Sequence, residues 1–146
     1  MNRRQFLLTG AALAAVNGIA LSNVRAATSS AKARIVIAGA GAAGLALASR
    51  LRRQMPQAAI TVIDEKTVHH FQPGFTLVGA GLWSPDDVTF RNADFMPSGA
   101  DWITEAVAEF DPDSNTVATS SGRRVPYDFL FVATGLALDY ERIEGM

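Results

Sequence analysis

Arg34-Ile35-Val36-Ile37-Ala38-Gly39-Ala40-Gly41-Ala42-Ala43-Gly44 decides the reading of this chain. The apolar run before Gly39 predicts a strand, and the G-x-G-x-x-G spacing of Gly39, Gly41 and Gly44 predicts a tight turn into a helix. Each glycine meets a separate steric demand. Gly39 permits the turn, Gly41 lets backbone amides come close to a pyrophosphate, and Gly44 lets the helix lie close to the strand. Amides at the helix start have no partner within the helix and face an incoming anion. Downstream, Leu45, Ala48, Leu51 and Met55 recur at helical spacing, Arg50, Arg52 and Arg53 fall largely on the other side, and Pro56 stops the helix. Ala59-Ile60-Thr61-Val62-Ile63 is short and rich in β-branched residues, which predicts a second, parallel strand. Asp64 closes that run 25 positions after Gly39 and is placed to accept the two hydroxyls of an adenosine ribose, with Glu65 as the second candidate. The expected fold class is therefore α/β, a Rossmann-like parallel sheet built on a βαβ dinucleotide cradle.

Composition sets the limits of function. The chain has 146 residues, 49% of them hydrophobic, which is ample for one core and is not a disordered composition. Removing Arg3, Arg4 and Arg25 from the 13 basic residues leaves them outnumbered by 14 acidic ones, so no basic stripe is available for a nucleic acid backbone. Residues 1–26 read as an export signal: Arg3-Arg4 precede Phe6-Leu7 and an apolar run to Leu21, followed by Val24-Arg25-Ala26. The paired arginines resemble the twin-arginine signal, which carries folded and often cofactor-loaded proteins out of the cytoplasm. The run is short for a membrane span and is interrupted by Thr9, Gly10, Asn17 and Gly18. Residues 27–33 then form an Ala/Ser linker, and 34–146 the folded part. Cysteine is absent, so neither a disulfide nor a thiol of these residues takes part in the chemistry.

Val68 to Gly99 is broken by Pro73, Gly74, Gly79, Gly81, Pro85 and Pro97 and reads as an irregular excursion facing the active site, with a short helix over Thr76–Ala80. His69 and His70 are read as part of a solvated loop, and no metal site is expected, since neighbouring loop positions do not easily face one ion. Trp102 to Phe110 reads as one strand, Asp111 to Asn115 as its turn, and Thr116–Thr119 and Arg124–Pro126 as the rest of a β-meander. Asp128 to Ala133 reads as a buried strand ending in Thr134-Gly135.

With these residues in hand, Tyr127-Asp128-Phe129-Leu130-Phe131-Val132-Ala133-Thr134-Gly135 resembles the strand that ends beside the cofactor in the two-dinucleotide-binding flavoproteins. Phe71-Gln72-Pro73-Gly74-Phe75-Thr76-Leu77-Val78-Gly79-Ala80-Gly81, together with the stretch from Gly135 to Gly145, is similar to the sulfide:quinone oxidoreductases of the mitochondrial-like type. The resemblance implies FAD as cofactor. It implies that Gly39, Gly41, Ala42, Ala43 and Gly44 hold the pyrophosphate, and that Asp64, flanked by Glu65 and Lys66, holds the ribose. It further implies that the Val107 backbone meets adenine, that Gln72 and Pro73 approach the flavin, and that Ala133, Thr134 and Gly135 lie beside the pyrophosphate.

Such enzymes oxidise sulfide through a cysteine pair and pass the electrons through FAD to quinone. A chain without cysteine cannot supply the thiolate, so the sequence predicts an incomplete enzyme whose catalytic residues are not in these residues. The partners implied are a small sulfur substrate and a quinone or cytochrome, with peripheral membrane contact made by a segment outside the chain. Three other readings stand beside this one: the flavoprotein subunit of a cytochrome-linked sulfide dehydrogenase, an NADH:quinone dehydrogenase, and a non-catalytic nucleotide-binding module.

Overall fold

The computed structural model describes residues 28–136 and 139–145. The proposed export signal lies outside the described residues. Four strands form a parallel sheet: β1 (Arg34–Ala38), β2 (Ala59–Ile63), β5 (Ala100–Ile103) and β9 (Phe129–Val132), in the order β5-β2-β1-β9. Helix α1 (Ala42–Gln54) joins β1 to β2, giving the βαβ unit expected from the glycine spacing. It ends where Met55 donates its amide to the Leu51 carbonyl at 2.7 Å, one residue before Pro56.

The continuous apolar character of β1 follows from burial on both faces. Ile35 and Ile37 meet Leu45 and Ala48 of α1 on one side, in a core completed by Ile60 and Val62. Val36, with Ile63 and Ile103, points to the other side, against Val117, Val125 and Tyr127. That second cover is a three-stranded antiparallel meander, β6 (Val107–Asp111), β7 (Thr116–Thr119) and β8 (Arg124–Pro126). The turn into β7 uses Asn115 at φ 52°, a left-handed conformation that asparagine tolerates well.

Three expectations are corrected. Trp102 to Phe110 is two strands, not one: β5 pairs with β2 in the parallel sheet, residues 104–106 break the run, and β6 turns away to pair with β7. The excursion after Val68 is partly regular, because β3 (Val68–His70) pairs antiparallel with β4 (Thr89–Arg91). The two histidines therefore stand on a strand, not in a solvated loop, and the short helix α2 spans Phe75–Gly79 between them and β4. The strand read as buried is open along most of its length: Phe129 is 57% exposed and Phe131 exposed on one face, Val132 is 58% exposed on the other, and only Leu130 is half-buried. The physical reason is position. β9 is an edge strand here, its Leu130 reaches the meander core, and α1 covers β1 and β2 on the opposite face.

Candidate cofactor site

The carboxyl ends of all four parallel strands converge on one cleft of about 180 Å³, lined by Gly39, Ile63, Asp64, Glu65, Lys66, Ala106, Val107 and Thr134. Backbone bonds hold these ends level: Gly39 donates to the Ile63 carbonyl at 2.8 Å, Asp64 to that of Ile103 at 3.1 Å, and Ala133 to that of Ala38 at 2.7 Å. Ligands of open α/β sheets lie outside the carboxyl ends of the strands, where this cleft is.

The three glycines are distinguished by what a side chain would meet. Gly39 has φ +112°, and a Cβ there would stand 2.3 Å from the Ala133 carbonyl oxygen, so the end of β9, as well as the turn, excludes any other residue. A Cβ on Gly44 would lie 1.9 Å from the Gly39 carbonyl oxygen, which is the close helix–strand contact expected of it. At Gly41 a Cβ would meet nothing within 4 Å. Nothing inside the described protein requires glycine at that position, whereas an approaching ligand would.

The start of α1 is suited to an anion. No side chain caps it, no acidic residue sits in its first turn, and the first intrahelical bond runs from the Leu45 amide to the Gly41 carbonyl. The amides of Ala42, Ala43 and Gly44 precede that bond and keep their donors for a ligand.

Asp64 forms the opposite wall. Its Oδ2 accepts the Ala40 amide at 2.6 Å and its Oδ1 accepts the Lys66 amide at 2.9 Å. The Trp102 indole N–H donates to the Asp64 carbonyl at 3.2 Å. The carboxylate is thus tied to the glycine loop and still lines the cleft.

Of the residues expected at the site, Gly39, Asp64, Glu65, Lys66, Val107 and Thr134 line this cleft together. Ala133, the residue after β9, closes on Gly39, and Gly135 follows at φ +75°. Gln72 and Pro73 begin a 3-10 turn after β3 and are not among the lining residues. Ile63 and Ala106 line the cleft and the Trp102 indole supports Asp64, although the sequence carries no site signal at these three beyond the neighbours Asp64 and Val107.

A cleft at the carboxyl ends of a parallel sheet, with Gly39 on its wall, an open helix start and an acid after the second strand, defines a Rossmann-like nucleotide-binding domain. Residues 33–146 match the family described as pyridine nucleotide-disulphide oxidoreductase, and the chain belongs to that family, whose members are FAD-binding flavoproteins. It is 40% identical over 114 residues to the mitochondrial sulfide:quinone oxidoreductase of Dictyostelium discoideum, covering 77% of this chain and 25% of the relative. It is 36% identical over 102 residues to the sulfide-quinone reductase of Aquifex aeolicus, covering 69% and 24%. The X-ray structure of the sulfide:quinone oxidoreductase from Aquifex aeolicus superimposes with a TM-score of 0.64 at 34% identity, over 75% of this chain and 26% of that one. The chain spans about a quarter of the length of these relatives.

Proposed function

We propose that the chain is the N-terminal part of an FAD-dependent oxidoreductase that passes electrons from sulfide, or a related reduced sulfur compound, to quinone. The observation that carries the substrate class is the 40% identity to a sulfide:quinone oxidoreductase over 77% of the chain. Bound FAD would supply the redox chemistry, taking two electrons from the donor and releasing them to the acceptor. The residues described here would bind and orient it: amides of Ala42, Ala43 and Gly44 toward the pyrophosphate, Asp64 toward the ribose, and Val107 and Thr134 along the cleft wall. The open space at Gly41 supports this reading. The thiol chemistry belongs to residues outside this chain, which has no cysteine.

In this reading residues 1–26 are a twin-arginine-type signal, 27–33 a linker and 34–146 the first part of the FAD-binding domain, and the protein works in the periplasm. Replacing Arg3 and Arg4 by lysine should leave the protein in the cytoplasm on cell fractionation; unaltered export would remove the signal assignment. The paired arginines also favour a second reading, a flavoprotein subunit that hands its electrons to a cytochrome. Assay of the full-length protein separates the two. Sulfide-dependent reduction of a soluble quinone supports the first, and reduction of cytochrome alone the second. A full-length protein with fewer than two cysteines would overturn sulfide oxidation by this route.

A further inference from the structure

Asn92 is 1% exposed, and its carboxamide is held by one segment remote in sequence, residues 66–69. Its Nδ2 donates to the Lys66 carbonyl at 2.7 Å, and its Oδ1 lies 2.6 Å from His69 Nδ1. Its backbone amide donates to the Thr67 carbonyl at 2.8 Å. The Lys66 amide in turn donates to Asp64 Oδ1, and Asp64 Oδ2 accepts the Ala40 amide. One line of hydrogen bonds therefore runs from a buried side chain just after β4 to the turn that opens α1.

The direction of each bond in this line follows from the chemistry. A carbonyl only accepts, so the amide nitrogen of Asn92 must face Lys66 and its oxygen must face His69. That oxygen also only accepts, so His69 Nδ1 must carry the hydrogen, which is the minority form of a neutral imidazole in water. The ring is kept in place by Phe90 and Phe95, each with its centroid 5.8 Å away.

We propose that Asn92 is a positioning residue for the nucleotide cleft: it clamps residues 65–67 so that the Asp64 carboxylate stays at the entrance of α1, and it fixes His69 as the Nδ1–H tautomer. This rests on the reading of the cleft as the adenosine site. A core asparagine of purely structural importance would change stability and leave nucleotide affinity alone. A positioning asparagine changes affinity, because the carboxylate must be in place before the ligand arrives.

The test uses the full-length protein freed of flavin and labelled with 15N-histidine, at a pH where the ring is neutral, with ADP as the probe. The His69 signal, assigned by its loss in His69→Gln, should show the Nδ1–H pattern in the unaltered protein. Asn92→Ala should abolish that pattern and weaken ADP binding by about tenfold, the loss of one well-placed hydrogen bond. An Nε2–H ring in the unaltered protein would overturn the proposal whether or not the variant folds, and so would a folded Asn92→Ala that binds ADP with unchanged affinity. If the unaltered protein binds no ADP, the reading of the cleft itself fails and the positioning role falls with it. That outcome is distinct from a protein that binds ADP indifferently to residue 92.

Discussion

Asp64 and Ala40 are joined by a hydrogen bond of 2.6 Å from the Ala40 amide to the Asp64 carboxylate, although they belong to different strand-to-loop turns. The bond makes Asp64, the acid proposed to hold the ribose, and the glycine loop one unit, so a ligand that touches either meets both in a fixed relation. Bonds from a main-chain amide to a charged carboxylate are among the stronger ones, contributing roughly 1.5–3 kcal/mol. Asp64→Asn keeps the shape but loses the charge, and should weaken ADP binding by about tenfold or more, with a modest fall in Tm. Isothermal titration of ADP into the full-length protein freed of flavin measures the first and thermal denaturation the second. Unchanged affinity would mean that the carboxylate serves the loop alone.

Gly41 and Gly44 should respond oppositely to alanine. At Gly44 the new methyl would press on the Gly39 carbonyl oxygen at 1.9 Å, and backbone cannot yield without moving the helix. Overpacking of this kind costs about 1–3 kcal/mol or more, so Gly44→Ala should lower Tm sharply. At Gly41 the space is open and the backbone is extended, with φ −73°. Gly41→Ala should therefore fold with a loss of no more than about 1 kcal/mol and yet retain little flavin absorbance after purification. A folded Gly41→Ala with full flavin content would count against close approach of the cofactor at this loop.

The start of the sheet carries a pH-sensitive clasp. Arg34 donates from its amide to Asp128 Oδ2 at 2.7 Å and from Nη2 to Oδ1 at 2.6 Å, tying the first residue of β1 to the residue before β9. Hydrogen bonds from the Arg34 side chain, then from its amide, hold the Asp128 carboxyl below the usual carboxylate range. A group whose folded pKa is depressed stabilises the fold above its unfolded pKa, and the contribution is lost as pH falls through the folded value. Both side chains are largely exposed, so the effect should be small and screened by salt. Asp128→Asn should lower stability slightly at pH 7, with the difference from the unaltered protein vanishing as pH falls between about pH 5 and pH 2, so that the acid limb measured by denaturant titration is flatter. An unchanged acid limb would show that the clasp contributes nothing.

Trp102 supports the Asp64 wall through its indole N–H. Trp102→Phe keeps an aromatic ring against the α1 side of the core and removes only the donor, leaving the Asp64 carbonyl short of one bond. The expected cost is about 0.5–1.5 kcal/mol in urea denaturation, with ADP affinity reduced less than by Asp64→Asn. A larger loss of affinity than of stability would reassign Trp102 to the ligand.

Local sequence determined the βαβ unit because its signals are short-ranged. A β-branched apolar run, three glycines at set spacing, a helical stripe ending before Pro56 and an acid after the next strand all act within about thirty residues. The meander turns at Asp111–Asn115 and Gly122 were equally legible, since turn chemistry is local. Tertiary structure alone decided the rest. Whether residues 104–106 continue or end a strand depends on two different sheets competing for Trp102 and Phe110, and whether His69 meets solvent depends on pairing with β4, which starts at Thr89. The convergence of Val107 and Thr134 on Asp64 and Gly39, and the reach of Asn92 to Lys66, join parts of the chain that no local pattern relates. Chain connectivity writes propensities into neighbouring residues, but contacts between distant segments exist only once the sheet order has brought four strand ends to one edge.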